Sequence, residues 1–116
     1  MAAPRFVYKI ATREAFELGR RTGQFSGMPI DIRDGYIHLS TAEQLAETLK
    51  LHFAGQSGLV VFAVPVAAIA DLRWEPSRGG ALFPHLYGEL PMSAIGHSAA
   101  IEVSPDGSVT LPAWVE

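Results

Sequence analysis

Two hydrophobic periods take turns along this chain. Phe6 to Ile10 alternates and is rich in strand formers, which predicts a first strand. Thr12 is placed to cap a helix over Arg13 to Arg21, with Glu14 in its first turn. Ala15, Phe16 and Gly19 supply an apolar stripe, and Gly23 stops it. Gln24 to Asp34 follows neither period and contains Gly27 and Pro29, so it predicts a loop, either functional or plain surface. Period two then returns. After a turn at Asp34-Gly35, Ile37 and Leu39 fall on one face of a strand and Tyr36, His38 and Ser40 on the other.

That strand runs straight into a helix. Ala42, Leu45, Ala46, Leu49 and Phe53 recur at three- and four-residue intervals, and Ala54-Gly55 ends the pattern. Ser40 with Glu43 and Thr41 with Gln44 both have capping-box spacing. Leu59 to Val64 is apolar on both faces, as a central strand covered on two sides would be. A short helical turn over Pro65 to Asp71 leads into Leu72-Arg73-Trp74-Glu75, where Leu72 and Trp74 should face the core and Arg73 and Glu75 the other side. Pro76 to Gly80 predicts a turn, Ala94 to Val103 a last long strand, and Pro105-Asp106-Gly107 a hairpin into Val109 to Leu111. No repeat or linker interrupts the series, so residues 1–116 are expected to form one α+β domain.

Composition narrows the chemistry. The chain has 116 residues, is 48% hydrophobic and 18% charged, and so can build a core. A net charge of −3 offers no overall basic field for nucleic acid or an anionic membrane. The absence of cysteine excludes disulfides, thiolate metal sites and a thiol nucleophile. The longest apolar run, Leu59 to Ala70, is broken by Pro65 and is too short to span a membrane. No apolar leader follows the N-terminus, so a cytoplasmic location is expected. Oligomeric state is not legible.

Chemistry must therefore come from histidine, hydroxyl and carboxylate groups. His38 and Ser40 share a strand face and can both reach a ligand, as base and donor. The plainer alternative is that Ser40 or Thr41 caps the helix, whose N-terminus also favours anions. Arg73 and Glu75 form a second candidate, against the simpler reading of an exposed ion pair. The third is Phe83-Pro84-His85-Leu86-Tyr87-Gly88, where His85 and Tyr87 suit a planar ligand or else form an ordinary core corner. The four histidines lack the spacing that sets two metal ligands on one element face, so no metal is expected. No phosphate-binding glycine motif and no nucleophile elbow is present.

Several of these segments together resemble a known family. Tyr8-Lys9-Ile10, Asp34 to Gln44, Phe53-Ala54-Gly55, Leu72 to Glu75 and Phe83 to Gly88 resemble the bacterial proteins catalogued as domain of unknown function 952, over nearly the whole chain. The resemblance implies a fold like that of ADP-ribosyltransferases: split, mixed sheets with two main helices around a cleft that holds NAD. It further implies a ribose-holding histidine or arginine on the first strand, a hydroxyl on the second and a late catalytic glutamate. The first position falls on Lys9, which cannot copy an imidazole's geometry. Ser40 and Thr41 fit the second, and Glu75 or Glu89 the third. The expected function is then binding of a nucleotide-like or NAD-like ligand, or ADP-ribosyl transfer. His38 and Glu75 would be catalytic, with Lys9, Ser40, Thr41, Arg73, His85 and Tyr87 holding the ligand. The alternatives are a non-catalytic protein-interaction module and an enzyme acting on a 2′-phosphate.

Overall fold

The strand with no polar face is the centre of the molecule. In the computed structural model, which describes residues 4–77 and 79–115, β3 (Leu59–Pro65) lies between β1 (Phe6–Thr12) and β6 (Ser98–Ile101), antiparallel to both. Its side chains alternate between two cores. Val60, Phe62 and Val64 join Val7, Phe16, Phe25, Ile37, Leu39 and Leu86 on one side. Leu59, Val61 and Ala63 join Tyr8, Ile10, Leu45 and Leu49 on the other. Each such side chain contributes about 1.5–3 kcal/mol by leaving water, so the double coverage of β3 accounts for its unbroken apolar run.

A second sheet has the order β2 (Ile37–His38), β5 (Ala81–Leu86), β4 (Leu72–Ser77), again antiparallel throughout. The two sheets are stitched by one bridge, in which Tyr8 N donates to Ser40 O at 2.8 Å and Ser40 N to Tyr8 O at 2.9 Å. The split therefore falls between β1, at the edge of the first sheet, and the segment just after β2, at the edge of the second. The family resemblance implies mixed sheets; the split is present, and every ladder among the described residues is antiparallel.

Helix α1 (Arg13–Thr22) has Thr12 as its cap, with Oγ1 accepting from Ala15 N at 3.2 Å, and ends at Gly23 in the left-handed region. Of the two capping boxes before α3 (Ala42–Phe53), Thr41 with Gln44 is the one formed. Ser40 instead serves the bridge. The buried stripe of α3 is Leu45, Thr48 and Leu49, while Ala46 is exposed.

Four local expectations change. Residues Gln24 to Asp34 are not all loop: Pro29–Asp34 forms a short helix, α2. Trp74 does not face the core and is 39% exposed, because β4 is the outer strand of its sheet and only Leu72 reaches the first core. β4 continues through Pro76 and Ser77, and Arg78, in the expected turn, lies outside the described residues. The last strand is short, preceded by a 3-10 turn at Met92–Ala94, and the Ser104–Ser108 turn leads to no strand. Among the described residues no helix is long and apolar enough to cross a membrane.

Candidate functional site

The site is founded on α2. Pro29 stands at the first helical position, where its missing N–H costs nothing, and Gly35 closes the helix with φ 84°. Two residues after Pro29, Asp31 turns back and accepts from Met28 N at 2.6 Å. Its carboxylate is 3% exposed and bonds to four groups. Lys9 Nζ lies 2.8 Å from Oδ2 and 3.0 Å from Oδ1. His38 approaches Oδ1 twice, with its backbone N–H at 2.9 Å and Nδ1 at 2.7 Å. Burial alone would push this acid up, but the bonds from His38 and the Lys9 charge outweigh it and hold the pKa down at about 2.

Lys9 is thereby accounted for. It is 4% exposed, pairs with Asp31 and donates to the His38 carbonyl at 3.0 Å. A lysine that ties β1, α2 and β2 together positions His38. Its ammonium is committed before any ligand arrives.

His38 projects from β2, directly opposite His85 of β5 in the ladder. Residues opposed in this way stand on the same face, and their ring centroids are 5.5 Å apart. Tyr36 covers both, at 4.6 Å from the His38 ring and 4.2 Å from that of His85. Each imidazole has a carboxylate at Nδ1: Asp31 for His38, and Glu75 Oε1 for His85 at 2.8 Å. This arrangement fixes the orientation of both rings, and His85 itself is buried. At His38 the other ring nitrogen, Nε2, meets Asp34 Oδ2 at 3.0 Å.

Glu75 also accepts from Tyr87 Oη at 2.7 Å, again on Oε1. Those bonds, Tyr87's first and His85's second, hold the Glu75 carboxyl below its ordinary value, and the same bond raises the Tyr87 phenol. Arg73 does not pair with Glu75 as a same-face couple. It bonds Asp71 at 2.9 Å and lies 4.2 Å over the Tyr87 ring. Glu89 stands apart from the cluster, near Gln24.

Beside this cluster is a cleft of about 290 Å³, whose walls include Tyr8, Tyr36, Phe53, Asp34, His38 and Ser40. Ser40 and Thr48 face each other, Oγ to Oγ1 at 3.4 Å. Thr41 lies next to Ser40 in the chain, but its hydroxyl is occupied as the α3 cap. The expected set therefore divides. His38, His85, Glu75, Tyr87 and Arg73 come together around Tyr36, Ser40 reaches the cleft, and Lys9 and Thr41 act as supports.

Sequence reasoning missed Asp31 and Asp34, and left Tyr36 as a strand position only. A Pro-x-Asp followed by Gly four residues later was the available signal for a short helix and its turn-back carboxylate. Among the described residues no group of three or more histidines and carboxylates is arranged to hold a metal ion.

Comparison with known proteins adds a family and a fold. The family model described as "Protein of unknown function (DUF952)" matches residues 10–98. A crystal structure of protein CC0527 from Caulobacter crescentus is 42% identical to this chain, with a TM-score of 0.84, covering 90% of this chain and 93% of that one. A crystal structure of a double methionine variant of that protein gives a TM-score of 0.83, with the same identity and coverage. Its solution NMR structure gives 0.76, covering 91% of each chain at 42% identity. Among curated proteins nothing matches.

Proposed function

The chain belongs to the DUF952 family, and we propose that it binds a small, flat, nucleoside-like molecule in the Tyr36 cleft and carries out acid–base chemistry there with His38 and His85. The observation that carries this reading is the meeting of two carboxylate-oriented imidazoles 5.5 Å apart under one tyrosine ring. An imidazole held at Nδ1 by a carboxylate can take up and return a proton, and His38 lines the cleft while His85 lies buried beside it. A half-buried aromatic ring gives a planar ligand a face to stack on. The cleft volume of about 290 Å³ suits a base with its sugar better than a whole dinucleotide.

ADP-ribosyl transfer is a second reading, favoured by one feature. Glu75, rather than Glu89, stands in the histidine cluster, with both its bonds on Oε1; a carboxylate so oriented suits an oxocarbenium-like centre. A 2′-phosphate substrate has less support, because Lys9, Arg33 and Arg73 already have carboxylate partners. Calorimetric titration with adenosine, ADP-ribose and NAD tests the reading. Saturable heat with at least one of them, lost in His38→Ala, is expected. No heat with any of the three would refute it.

A further inference from the structure

We propose that Asp34 makes this cleft selective for a ligand whose flat ring carries a positive charge, and that phosphate weakens binding. The inference rests on the nucleoside-like reading above and refines it. Two observations of geometry lead to it, and a third, electrostatic one agrees.

The first is the lining. Tyr36 and Phe53 line the cleft with the buried Tyr8 also at its wall, and Met28 adds a polarisable thioether. Aromatic faces are negative at their centres and attract cations, most strongly where water is partly excluded. A neutral apolar ligand would gain burial from such walls; a cationic ring gains that and the electrostatic attraction as well.

The second is the charge inventory. Lys9 is the one Lys or Arg lining the cleft among the described residues, and its ammonium lies against Asp31. Asp34 lines the same cleft with its carboxylate turned toward His38, and Asp34 Oδ1 takes Arg33 Nε at 2.9 Å. Arg33 itself is largely in solvent, where a paired charge is strongly screened. Inside the cleft a phosphate would face Asp34 with Lys9 already paired, whereas a cation would face an aromatic wall and a carboxylate.

The third is the response of Tyr36. Its phenol is raised above the ordinary tyrosine value, first by burial and then by the negative charges of Asp34 and Glu75. The ring that would stack on the ligand thus already sits in a field that disfavours added negative charge.

The test uses one nucleoside in three charge states: adenosine, 1-methyladenosine (cationic at neutral pH) and adenosine 5′-monophosphate. Dissociation constants are measured by calorimetry at low salt, with the full chain and with Asp34→Asn, which keeps the shape and one acceptor oxygen. The expected order of affinity is the cation, then adenosine, then the monophosphate. The cation should bind about threefold to thirtyfold more tightly than adenosine, and Asp34→Asn should shrink that ratio and strengthen the monophosphate. Tyr36→Leu should also shrink the ratio without strengthening the monophosphate. Equal affinities, or a monophosphate that binds most tightly, would overturn the inference and leave nucleoside binding standing. An unchanged ratio in Asp34→Asn would overturn the role given to Asp34. No heat with any of the three would remove the nucleoside reading itself, and this inference with it.

Discussion

Replacing Asp31 with asparagine should unfold this protein far more readily than any nearby surface change. The carboxylate faces a lysine whose side chain is only 5% exposed, and its own side chain is 1% exposed. Taking away one partner of such a pair leaves a charge in low dielectric, at a cost of about 3–5 kcal/mol. Asparagine keeps an acceptor for only one of the His38 and Met28 amides, which bond to different carboxylate oxygens, so a loss of about 3 kcal/mol or more is expected. With a urea slope of about 1.5 kcal/mol/M, the midpoint should fall by about 2 M at unchanged slope. The linkage to pH gives a second, independent handle. The Asp31 pKa is depressed from 3.8 to about 2 in the folded state. Its stabilisation is therefore fully present above the unfolded value and is lost as pH falls from about 4 through about 2. Roughly 2 kcal/mol should disappear across that window in the native protein and not in Asp31→Asn. Removing both charges while keeping an acceptor, as in Lys9→Met with Asp31→Asn, should recover much of the loss, because no orphan charge then remains. A single-variant loss below about 1 kcal/mol, or a double variant as unstable as the sum of its parts, would refute Asp31 as the anchor of the site.

Two further expectations follow from the same geometry. Thr41→Ala removes the cap hydroxyl that accepts from Gln44 N and should cost about 1 kcal/mol in thermal melting; a loss in Ser40→Ala with none in Thr41→Ala would reverse that assignment. Tyr87→Phe deletes the first of the bonds that hold Glu75 low, so carboxyl carbon NMR should show Glu75 titrating nearer its ordinary value; an unmoved titration would contradict the bond.

The parts of the fold that depend on long periods or local caps were legible. The two faces of β3, the Thr12 cap, the Gly23 stop and the start of α3 at Ser40 or Thr41 all follow from residue types at fixed offsets, while the choice of Thr41 does not. What was not legible depended on neighbours distant in the chain. Trp74 has the alternation of a core residue, but the position of β4 at the outside of its sheet leaves the ring exposed. α2 has only six residues and no period to read, and its formation is marked by Pro29 and Gly35 alone. The candidate site shows the same division. His38 and His85 were recognisable as distinctive histidines, but their pairing across β2 and β5 is a matter of register. Asp31 looked like one acid in a loop, and only the burial of Lys9 on β1 reveals why it is there.

The central claim is that Tyr36, His38 and His85 form one ligand-binding cluster. Two-dimensional NMR of the aromatic and imidazole resonances, recorded while adenosine is added to the full chain, tests it most directly. His97 stacks on Trp114 instead, at a ring distance of 5.2 Å, and serves as the internal control. The ring signals of Tyr36, His38 and His85 should move together along one saturating curve while His97 stays fixed. Shifts at His97 and Trp114 with none at Tyr36, or no saturable shift at any of the three cluster rings, would contradict it.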